Sequence, residues 1–146
     1  MVQCGGTAAR ERKVGILARV PLASGLLTGK LKADSAFAED DHRRFNRNGE
    51  RFDKGETFSG VPYEVGLQAV EELRQLLPAG ATLSQVALRW ILMFPEVTCT
   101  IPGAKTPEQA RDNAAAASLP PLSESTMAAV KEIYDRRIRP HVHESW

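Results

Sequence analysis

The residue pattern best suited to binding chemistry lies where a predicted strand, 97–101, leads into a predicted helix. The strand is a short run rich in β-branched residues. Gly103 permits a tight turn after it, and Lys105 places a cation on that turn. A strand that turns through glycine into a helix presents free backbone N–H groups and the positive end of the helix dipole. The pattern therefore predicts a phosphate site at this turn.

The helix that follows has a capping signal of its own. Thr106 suits the N-cap, Pro107 suits the first helical position, and Gln109 completes a Thr-x-x-Gln capping box. An ordinary βα loop with a well-capped helix explains these residues as well as a phosphate site does. Both explanations stay open on this segment alone.

The three histidines raise the question of a metal site. His141 and His143 form a His-x-His pair near the end of the chain, and His42 lies in a polar stretch far from them in sequence. The pair has no third ligand nearby, so chance is the better explanation. No metal site is predicted.

The composition limits the classes of partner and compartment. The chain has 146 residues, 25% of them charged, with a formal net charge of +1, which gives no electrostatic case for nucleic acid or a membrane surface. No apolar run approaches the roughly 20 residues of a membrane helix, and the first residues lack the features of a signal peptide. Cys4 and Cys99 make no disulfide framework. We therefore expect a cytoplasmic protein with reduced thiols and with neither nucleic acid nor membrane as a partner.

The elements that must position the turn alternate along the chain. The apolar run 14–20 is typical of a strand buried on both faces. Spacing and capping residues predict four helices: one from Pro62 to about 76, one between Thr82 and Pro95, one over 107–117, and one capped by Ser123. The remaining segments are expected to be a helix tail over 1–13, a polar loop over 30–60 and an irregular end over 139–146.

The order of these elements predicts a parallel α/β fold, because hairpin signals are absent between the two strands. Two parallel strands cannot cover both faces of their own sheet. A complete (β/α)8 barrel takes about 250 residues. The sequence is therefore expected to be one part of a larger architecture.

Three separated motifs carry a family resemblance. They are Arg19-Val-Pro-Leu-Ala-Ser-Gly-Leu-Leu-Thr-Gly-Lys30, Gln85-Val-Ala-Leu-Arg-Trp90, and Ile101-Pro-Gly-Ala-Lys105 with Gln109 and Asn113 behind it. In this order and at this spacing they resemble the C-terminal part of the aldo-keto reductases, from about Val14 to the end. The resemblance implies an α/β fold that is a partial (β/α)8 TIM barrel. Residues 1–146 would form that single partial barrel, holding its last two strands with their helices.

The resemblance also implies an NADP(H) cofactor, bound in an extended conformation without a Rossmann domain. Loops after the last two strands of such barrels commonly form a phosphate site, so the physical argument points to the same place. The residues implied at the pyrophosphate are Leu22, Ala23, Ser24 and Gly25, with Lys30 close by. Arg43, or its neighbour Arg44, would come from the long loop that folds over the cofactor.

The adenosine end of the cofactor is implied at the second turn. Gly103 and Lys105 would meet the 2′-phosphate side, and the residues implied at the adenine and ribose are Gln109, Asp112 and Asn113. Simpler explanations exist, because surface lysines are usually solvated and Gln109 cannot easily cap a helix and bind adenine at once. Val20 departs from the family, where a small hydroxyl residue often precedes Pro-Leu, so one phosphate contact is in doubt.

The catalytic residues of the family have no counterpart in this sequence. Its chemistry rests on an Asp, Tyr, Lys and His tetrad from the first half of the barrel, in which Tyr protonates the substrate carbonyl oxygen as hydride arrives. Tyr63 and Tyr134 are expected on helices that face outward, outside any such motif. No catalytic residue is therefore predicted in the chain.

Three functions remain open. The chain could be the NADP(H)-binding part of an oxidoreductase that transfers hydride to an aldehyde or ketone. It could instead be a catalytically inactive module that binds NADP(H) or another phosphate ligand, or an oligomeric structural module that pairs exposed strand edges. The expected partners are a nicotinamide cofactor, a second copy of the chain, and a small carbonyl substrate only if the missing barrel half is supplied.

Overall fold

The described part of the chain contains one sheet of two short parallel strands. The computed structural model describes residues 8–145, so Cys4 and the first seven residues of the predicted helix tail over 1–13 lie outside it. Strand β1 is Ile16–Arg19 and strand β2 is Val97–Ile101. They pair in parallel with Arg19 opposite Ile101. Both strands therefore end at one edge of the sheet, and the loops that follow them leave from that edge.

The first strand is shorter and more exposed than its sequence predicts. The prediction that 14–20 is buried on both faces is wrong, because Leu17 in β1 is 62% exposed and Ile101 in β2 is 55% exposed. Successive side chains point to opposite faces of a strand, and burial alternates along β1 between half-buried and exposed. In the described chain, packing thus covers one face of the sheet more fully than the other.

Six α-helices have both of their ends in the described part of the chain. The four predicted ones are confirmed: α2 Tyr63–Arg74, α3 Leu83–Leu92, α4 Pro107–Ala115 and α5 Glu124–Ile133. Two short ones, α1 His42–Phe45 and α6 Arg139–Val142, were not predicted. A further helical turn covers 8–11. None of the helices within 8–145 is long and apolar enough to cross a membrane.

Residues 139–145 are helical, which corrects the prediction of an irregular tail over 139–146. A π-helix, Tyr134–Ile138, joins α5 to α6, and a 3₁₀ turn follows. Arg136 and Arg137 both donate to the carboxylate of Glu72 on α2, with nitrogen-to-oxygen distances of 2.6 and 2.8 Å. These ion pairs hold the segment against α2. The proline of α6 lies in its first turn, where a missing N–H costs no hydrogen bond.

The polar stretch 30–60 is a loop that side-chain hydrogen bonds hold together. Its side-chain centre is Asn46, which is fully buried. The Asn46 Oδ1 accepts from the N–H groups of Arg51 and Phe52 at 2.8 Å each, and its Nδ2 donates to the buried Thr57 hydroxyl at 3.3 Å. One buried side-chain amide thus provides hydrogen-bond partners for the backbone of this turn. The spacing of apolar residues could not have predicted it.

The hydrophobic core lies under this loop. It is formed by five buried residues, Leu26, Phe58, Tyr63, Val70 and Leu83. The prediction that Tyr63 faces outward is wrong, because its side chain is 4% exposed and its hydroxyl donates to the Lys32 carbonyl at 2.8 Å. An aromatic ring with a polar tip packs well where the tip finds an acceptor.

Candidate functional site

The turn after β1 has an unusual backbone. Ala23, Ser24 and Gly25 have φ values of 47°, 54° and 96°, all in the left-handed region. Glycine adopts this region freely, but each non-glycine residue there costs about 1–2 kcal/mol. Such strain persists only where the surroundings impose it, and it clusters at functional sites. The turn implied at the cofactor pyrophosphate is thus the strained one.

The long loop holds this turn through Ser24. The Ser24 Oγ accepts from the N–H of Phe58 at 3.2 Å and lies 3.4 Å from His42 Nε2. The Ser24 carbonyl accepts from Arg43 at 3.4 Å. Residues 18 to 34 positions apart in the sequence therefore meet at one serine.

Arg43 itself is held on two sides. Its Nε donates to Asp41 Oδ1 at 2.9 Å and its NH2 donates to Oδ2 at 2.5 Å. Its guanidinium carbon lies 4.5 Å from the centre of the Phe37 ring. The hydrogen bonds from Arg43 are the main reason that the pKa of Asp41 falls to about 2, and they also raise the pKa of Arg43.

Of the two neighbouring arginines, Arg43 is the one that faces the turn. Arg44 points to the exposed Glu39, with a nitrogen-to-oxygen distance of 3.2 Å. Lys30 follows the turn with an exposed side chain, and its backbone N–H donates to the Thr28 hydroxyl at 3.3 Å. The Leu22 carbonyl accepts from the N–H of Gly25 at 2.9 Å, which closes the turn.

The second turn precedes α4. A Cβ built on Gly103 would meet nothing within 4 Å, so the space over this glycine is open. The Gly103 carbonyl accepts from Asn113 Nδ2 at 3.2 Å. Lys105 is exposed, and so is Asp112 on the helix. This turn therefore presents a cation and an accessible helix start.

The capping of α4 differs from its prediction in one hydrogen bond. Thr106 does accept from the N–H of Gln109, at 3.3 Å. The Gln109 side chain, however, accepts from the N–H of Lys105 at 2.7 Å, one residue before the N-cap. The turn brings that N–H, rather than the one of Thr106, over the first turn of the helix. The cap therefore engages two N–H groups, as the sequence predicts, but one of them belongs to Lys105 instead of Thr106.

The register of the sheet relates the two turns. Because Arg19 and Ile101 are paired, residues 20–25 and 102–105 leave the same edge. Arg19 also pairs with Glu56 at 2.8 Å, which ties the long loop to that edge. The N–H groups of Ala23 and Gly25 already donate to the Val20 and Leu22 carbonyls, at 3.0 and 2.9 Å, so the donors left for phosphate oxygens are the exposed lysines Lys30 and Lys105 and the N-terminus of α4. The residues present therefore fit a phosphate-bearing cofactor.

Sequence reasoning did not assign a role to three residues that shape this site. Asp41, Phe58 and Phe37 all contact Ser24 or Arg43. The signal for Asp41 was its place before a helical turn, since aspartate is a preferred N-cap and its side chain accepts from the N–H of Arg43. The two phenylalanines gave no comparable signal.

The fold and these turns define a class: a parallel β/α protein whose strand ends share one loop-lined edge. The Aldo/keto reductase family profile matches residues 7–135. The chain belongs to that family.

Several relatives are similar to this chain over most of its length. Aldo-keto reductase str7 of Strobilurus tenacellus is 35% identical over 126 residues, covering 86% of this chain and 34% of the relative. Aldo-keto reductase yakc [NADP(+)] of Schizosaccharomyces pombe is 27% identical over 128 residues, covering 88% and 35%. The chain thus spans about a third of the length of these relatives.

A solved structure supports the fold. The glycerol dehydrogenase AKR11B4 from Gluconobacter oxydans superimposes with a TM-score of 0.72 at 28% identity, covering 90% of this chain and 37% of that one. The α/β fold with two parallel strands is consistent with part of a TIM barrel.

Proposed function

We propose that this chain is the NADP(H)-binding part of an aldo-keto reductase that transfers hydride to an aldehyde or ketone. The observation that carries the proposal is the register of β1 and β2, which brings the strained turn 22–25 and the turn before α4 to one sheet edge. When bound, NADPH would supply the hydride. The residues of this chain would bind and orient it.

The pyrophosphate is assigned to the first turn. Leu22, Ala23, Ser24 and Gly25 offer backbone rather than charge, and Lys30 offers an exposed ammonium group beside them. Short backbone approach and a nearby cation are the features that a pyrophosphate requires. The Val20 departure from the family pattern removes one side-chain donor from this set.

The adenosine is assigned to the second turn. Open space over Gly103 and the exposed side chain of Lys105 support assigning this lysine to the 2′-phosphate. The oxygen of Gln109 is occupied by the Lys105 N–H, so its Nε2 is the group that can donate. The Nδ2 of Asn113 is occupied by Gly103, so its Oδ1 can accept. Adenine carries an acceptor and an amino donor side by side, which matches this pair. Asp112 is assigned to the ribose hydroxyls.

The test is cofactor preference in a Lys105→Ala variant, measured by isothermal titration calorimetry. A charge-assisted hydrogen bond is worth about 1.5–3 kcal/mol, so NADPH binding should weaken roughly tenfold or more while NADH binding stays nearly unchanged. High salt should shrink the difference. Lys131→Ala, which removes the same charge from α5, is the matched control.

Two outcomes would count against this assignment. Equal losses for NADPH and NADH would mean that Lys105 does not recognise the 2′-phosphate. No loss for either cofactor would make it a solvated surface lysine.

The exposed sheet face favours a second candidate, a catalytically inactive module that binds NADP(H) and works as a homo-oligomer. Leu17 and Ile101 lie on that face with more than half of their surface exposed. Large exposed apolar residues on paired strands are typical of an interaction surface. The two candidates share the cofactor site and differ in what covers this face.

A further inference from the structure

We infer that Asn48 is a site of spontaneous deamidation, at which its side-chain amide is lost as ammonia and replaced by the carboxylate of aspartate or isoaspartate. The inference does not depend on the proposed function. It rests on the dipeptide Asn48-Gly49 and on the way in which the long loop presents it. Water is the only co-reactant.

The reaction needs a main-chain nitrogen that can reach the side chain of the preceding asparagine. The nitrogen of Gly49 attacks Cγ of Asn48, a new C–N bond closes a succinimide ring, and the Cγ–Nδ2 bond breaks to release ammonia. The proton of the attacking N–H passes to the solvent, and the leaving nitrogen takes one up. Water then opens the ring at either carbonyl, which gives aspartate or isoaspartate without any transfer of electrons. Glycine favours the attack, because it has no Cβ beside the nitrogen.

The long loop leaves this dipeptide accessible. Asn48 and Gly49 are both exposed, and neither belongs to a helix or a strand. Gly49 has a φ of 85°, a conformation that glycine adopts freely. Its N–H donates to the Asn46 carbonyl at 3.3 Å, which is longer than the usual range of about 2.7–3.2 Å. The attacking nitrogen is therefore held only weakly.

The side chain of Asn48 is turned towards Glu50. Its Nδ2 donates to Glu50 Oε1 at 2.8 Å, and its backbone N–H donates to Glu50 Oε2 at 2.8 Å. Glu50 is the residue after Gly49, so the amide of Asn48 extends along the chain in the direction of the attacking nitrogen.

The other two asparagines of the chain are protected by their surroundings. Asn46 is fully buried, its Oδ1 accepts from two backbone N–H groups, and Arg47 follows it. Asn113 lies within α4, is followed by an alanine, and donates its Nδ2 to the Gly103 carbonyl at 3.2 Å. A buried or helical amide cannot fold back onto the next nitrogen without losing these bonds. Deamidation should therefore be selective for Asn48.

The new carboxylate would reverse the contact with Glu50. The amide of Asn48 donates to the Glu50 carboxylate, whereas a carboxylate at the same place can only accept and carries a like charge. An attractive contact between these neighbours thus becomes a repulsive one in both products.

Isoaspartate would also strain the turn that Asn46 holds together. It lengthens the main chain by one carbon, because the chain then runs through the side chain of residue 48. A Cβ built on Gly49 would lie 3.2 Å from Lys54 Cβ and 3.3 Å from its nitrogen, so the turn has little room to shift. We expect the N–H groups of residues 51 and 52 to be held less firmly by Asn46 after the reaction.

The experiment follows the folded wild-type chain by mass spectrometry during incubation over days. Cleavage by chymotrypsin after Phe45 and Phe52 leaves Asn46 and Asn48 in one peptide, whose fragments locate a mass gain of about 1 Da, the exchange of an amide for an acid. We expect this gain at Asn48, roughly tenfold or more faster than at Asn46, whose amide is buried and hydrogen-bonded. The rate should rise with pH, because the attacking nitrogen must lose its proton.

Two variants test the ring-closing step. Gly49→Ala should slow the reaction by about tenfold, because a Cβ shields the nitrogen. Alanine is strained at a φ of 85°, so Asn48→Gln is the second variant: its longer side chain must close a larger ring, and we expect almost no deamidation at residue 48. Asn113→Gln makes the same change on α4 and is the matched control, which should leave the rate at Asn48 unchanged.

Amide hydrogen exchange tests the effect on the turn. Exchange at Arg51 and Phe52 should be faster in the aged chain than in the fresh one. Asn48→Asp carries the new charge on an unchanged backbone, so it should show a smaller increase than isoaspartate does.

Several outcomes would overturn the inference. One is a chain that reacts at Asn48 when unfolded in urea but not when folded, and another is a faster gain at Asn46 or Asn113 in the folded chain. A wild-type rate in Gly49→Ala or in Asn48→Gln would exclude the succinimide. Unchanged exchange at residues 51 and 52 in the aged chain would contradict the effect on the turn.

Discussion

The single residue Asp41 both caps a helix and pairs with an arginine. Its carboxylate accepts from the N–H of Arg43 at 2.9 Å, which caps α1, and from the Arg43 side chain. Both side chains are about four-fifths buried, so water screens the pair less than it would at an open surface. Because Arg43 also donates to the Ser24 carbonyl, this ion pair links the long loop to the turn after β1.

This coupling predicts a pH-dependent stability. The pKa of Asp41 is about 2 in the folded chain and about 3.9 in an unfolded one, so its contribution is complete above about pH 5 and is lost as the pH falls through about 2. Asn keeps the cap. In urea unfolding, Asp41→Asn should be about 1 kcal/mol less stable than wild type at pH 7, and the gap should narrow steadily as the pH falls from about 5 to about 2.

The control for Asp41 is Glu39→Gln. Glu39 pairs with Arg44 at an exposed position, so its effect should be small at every pH. A gap between wild type and Asp41→Asn that stays constant from pH 6 to pH 2 would show that the carboxylate charge is not what stabilises the loop.

At the scale of elements, α2 approaches the first turn through a glycine. A Cβ built on Gly66 would lie 2.8 Å from Leu26 Cδ1 and 3.4 Å from Cδ2. Leu26 is buried and directly follows the strained turn. The helix therefore reaches its position because residue 66 has no side chain.

This packing predicts that Gly66→Ala destabilises the chain. Alanine in a helix normally gains about 0.5–1 kcal/mol over glycine, but overpacking here should cost about 1–3 kcal/mol and outweigh it. Urea unfolding measures the difference. Adding Leu26→Val should make room and recover part of the loss, a coupling that a double-mutant cycle detects. Additive effects of the two substitutions would contradict the contact.

Elements with their own local signals could be predicted from the sequence. Thr82 and Gln85 form the complete capping box expected before α3, Ser123 caps α5, and β2 has its predicted bounds of 97–101. In each case the residues that decide the structure lie within a few positions of one another. Periodicity and capping are local by nature.

Features that depend on distant partners could not be predicted. The segment between α5 and α6 contacts α2 through Arg136 and Arg137, which meet Glu72 more than 60 positions away. The Tyr63 ring packs in the core, and its hydroxyl finds the carbonyl of Lys32, 31 positions away. At the candidate site, motifs predicted the residues of both turns. No periodic pattern in the sequence could predict that Ser24 contacts Phe58 and Arg43.

For the whole molecule, the uneven cover of the sheet predicts self-association. Leu17 and Ile101 are exposed on paired strands, so we expect a dimer or larger assembly. Leu17→Lys should shift the chain towards monomer in analytical ultracentrifugation. Phe52→Lys, which changes an exposed apolar residue outside the sheet, is the control. A wild-type chain that is monomeric at high concentration would contradict this expectation.

The tyrosines of the chain predict a lack of turnover by the chain alone. Tyr63 donates its hydroxyl to a backbone carbonyl inside the core, and the Tyr134 hydroxyl lies 3.2 Å from His143 Nδ1. Neither is placed as a free general acid, whose loss typically removes about 10²–10⁴-fold of rate. We expect no reduction of a nitrobenzaldehyde by NADPH. Turnover that follows the chain through purification and vanishes in Tyr63→Phe or Tyr134→Phe would contradict this.

The pairing of β1 with β2 also has a consequence for the order of folding. The Thr100 hydroxyl donates to the Ala18 carbonyl, 82 positions away in the sequence. Pairing the two strands therefore costs the conformational entropy of a long loop. The helices α2 and α3, in contrast, form from residues that are neighbours in the sequence. During synthesis the shared edge cannot exist until the second strand has left the ribosome. A dinucleotide that bound this edge would therefore meet a chain in which both strands have already been made: it could slow unfolding, but it could not guide the first steps of folding.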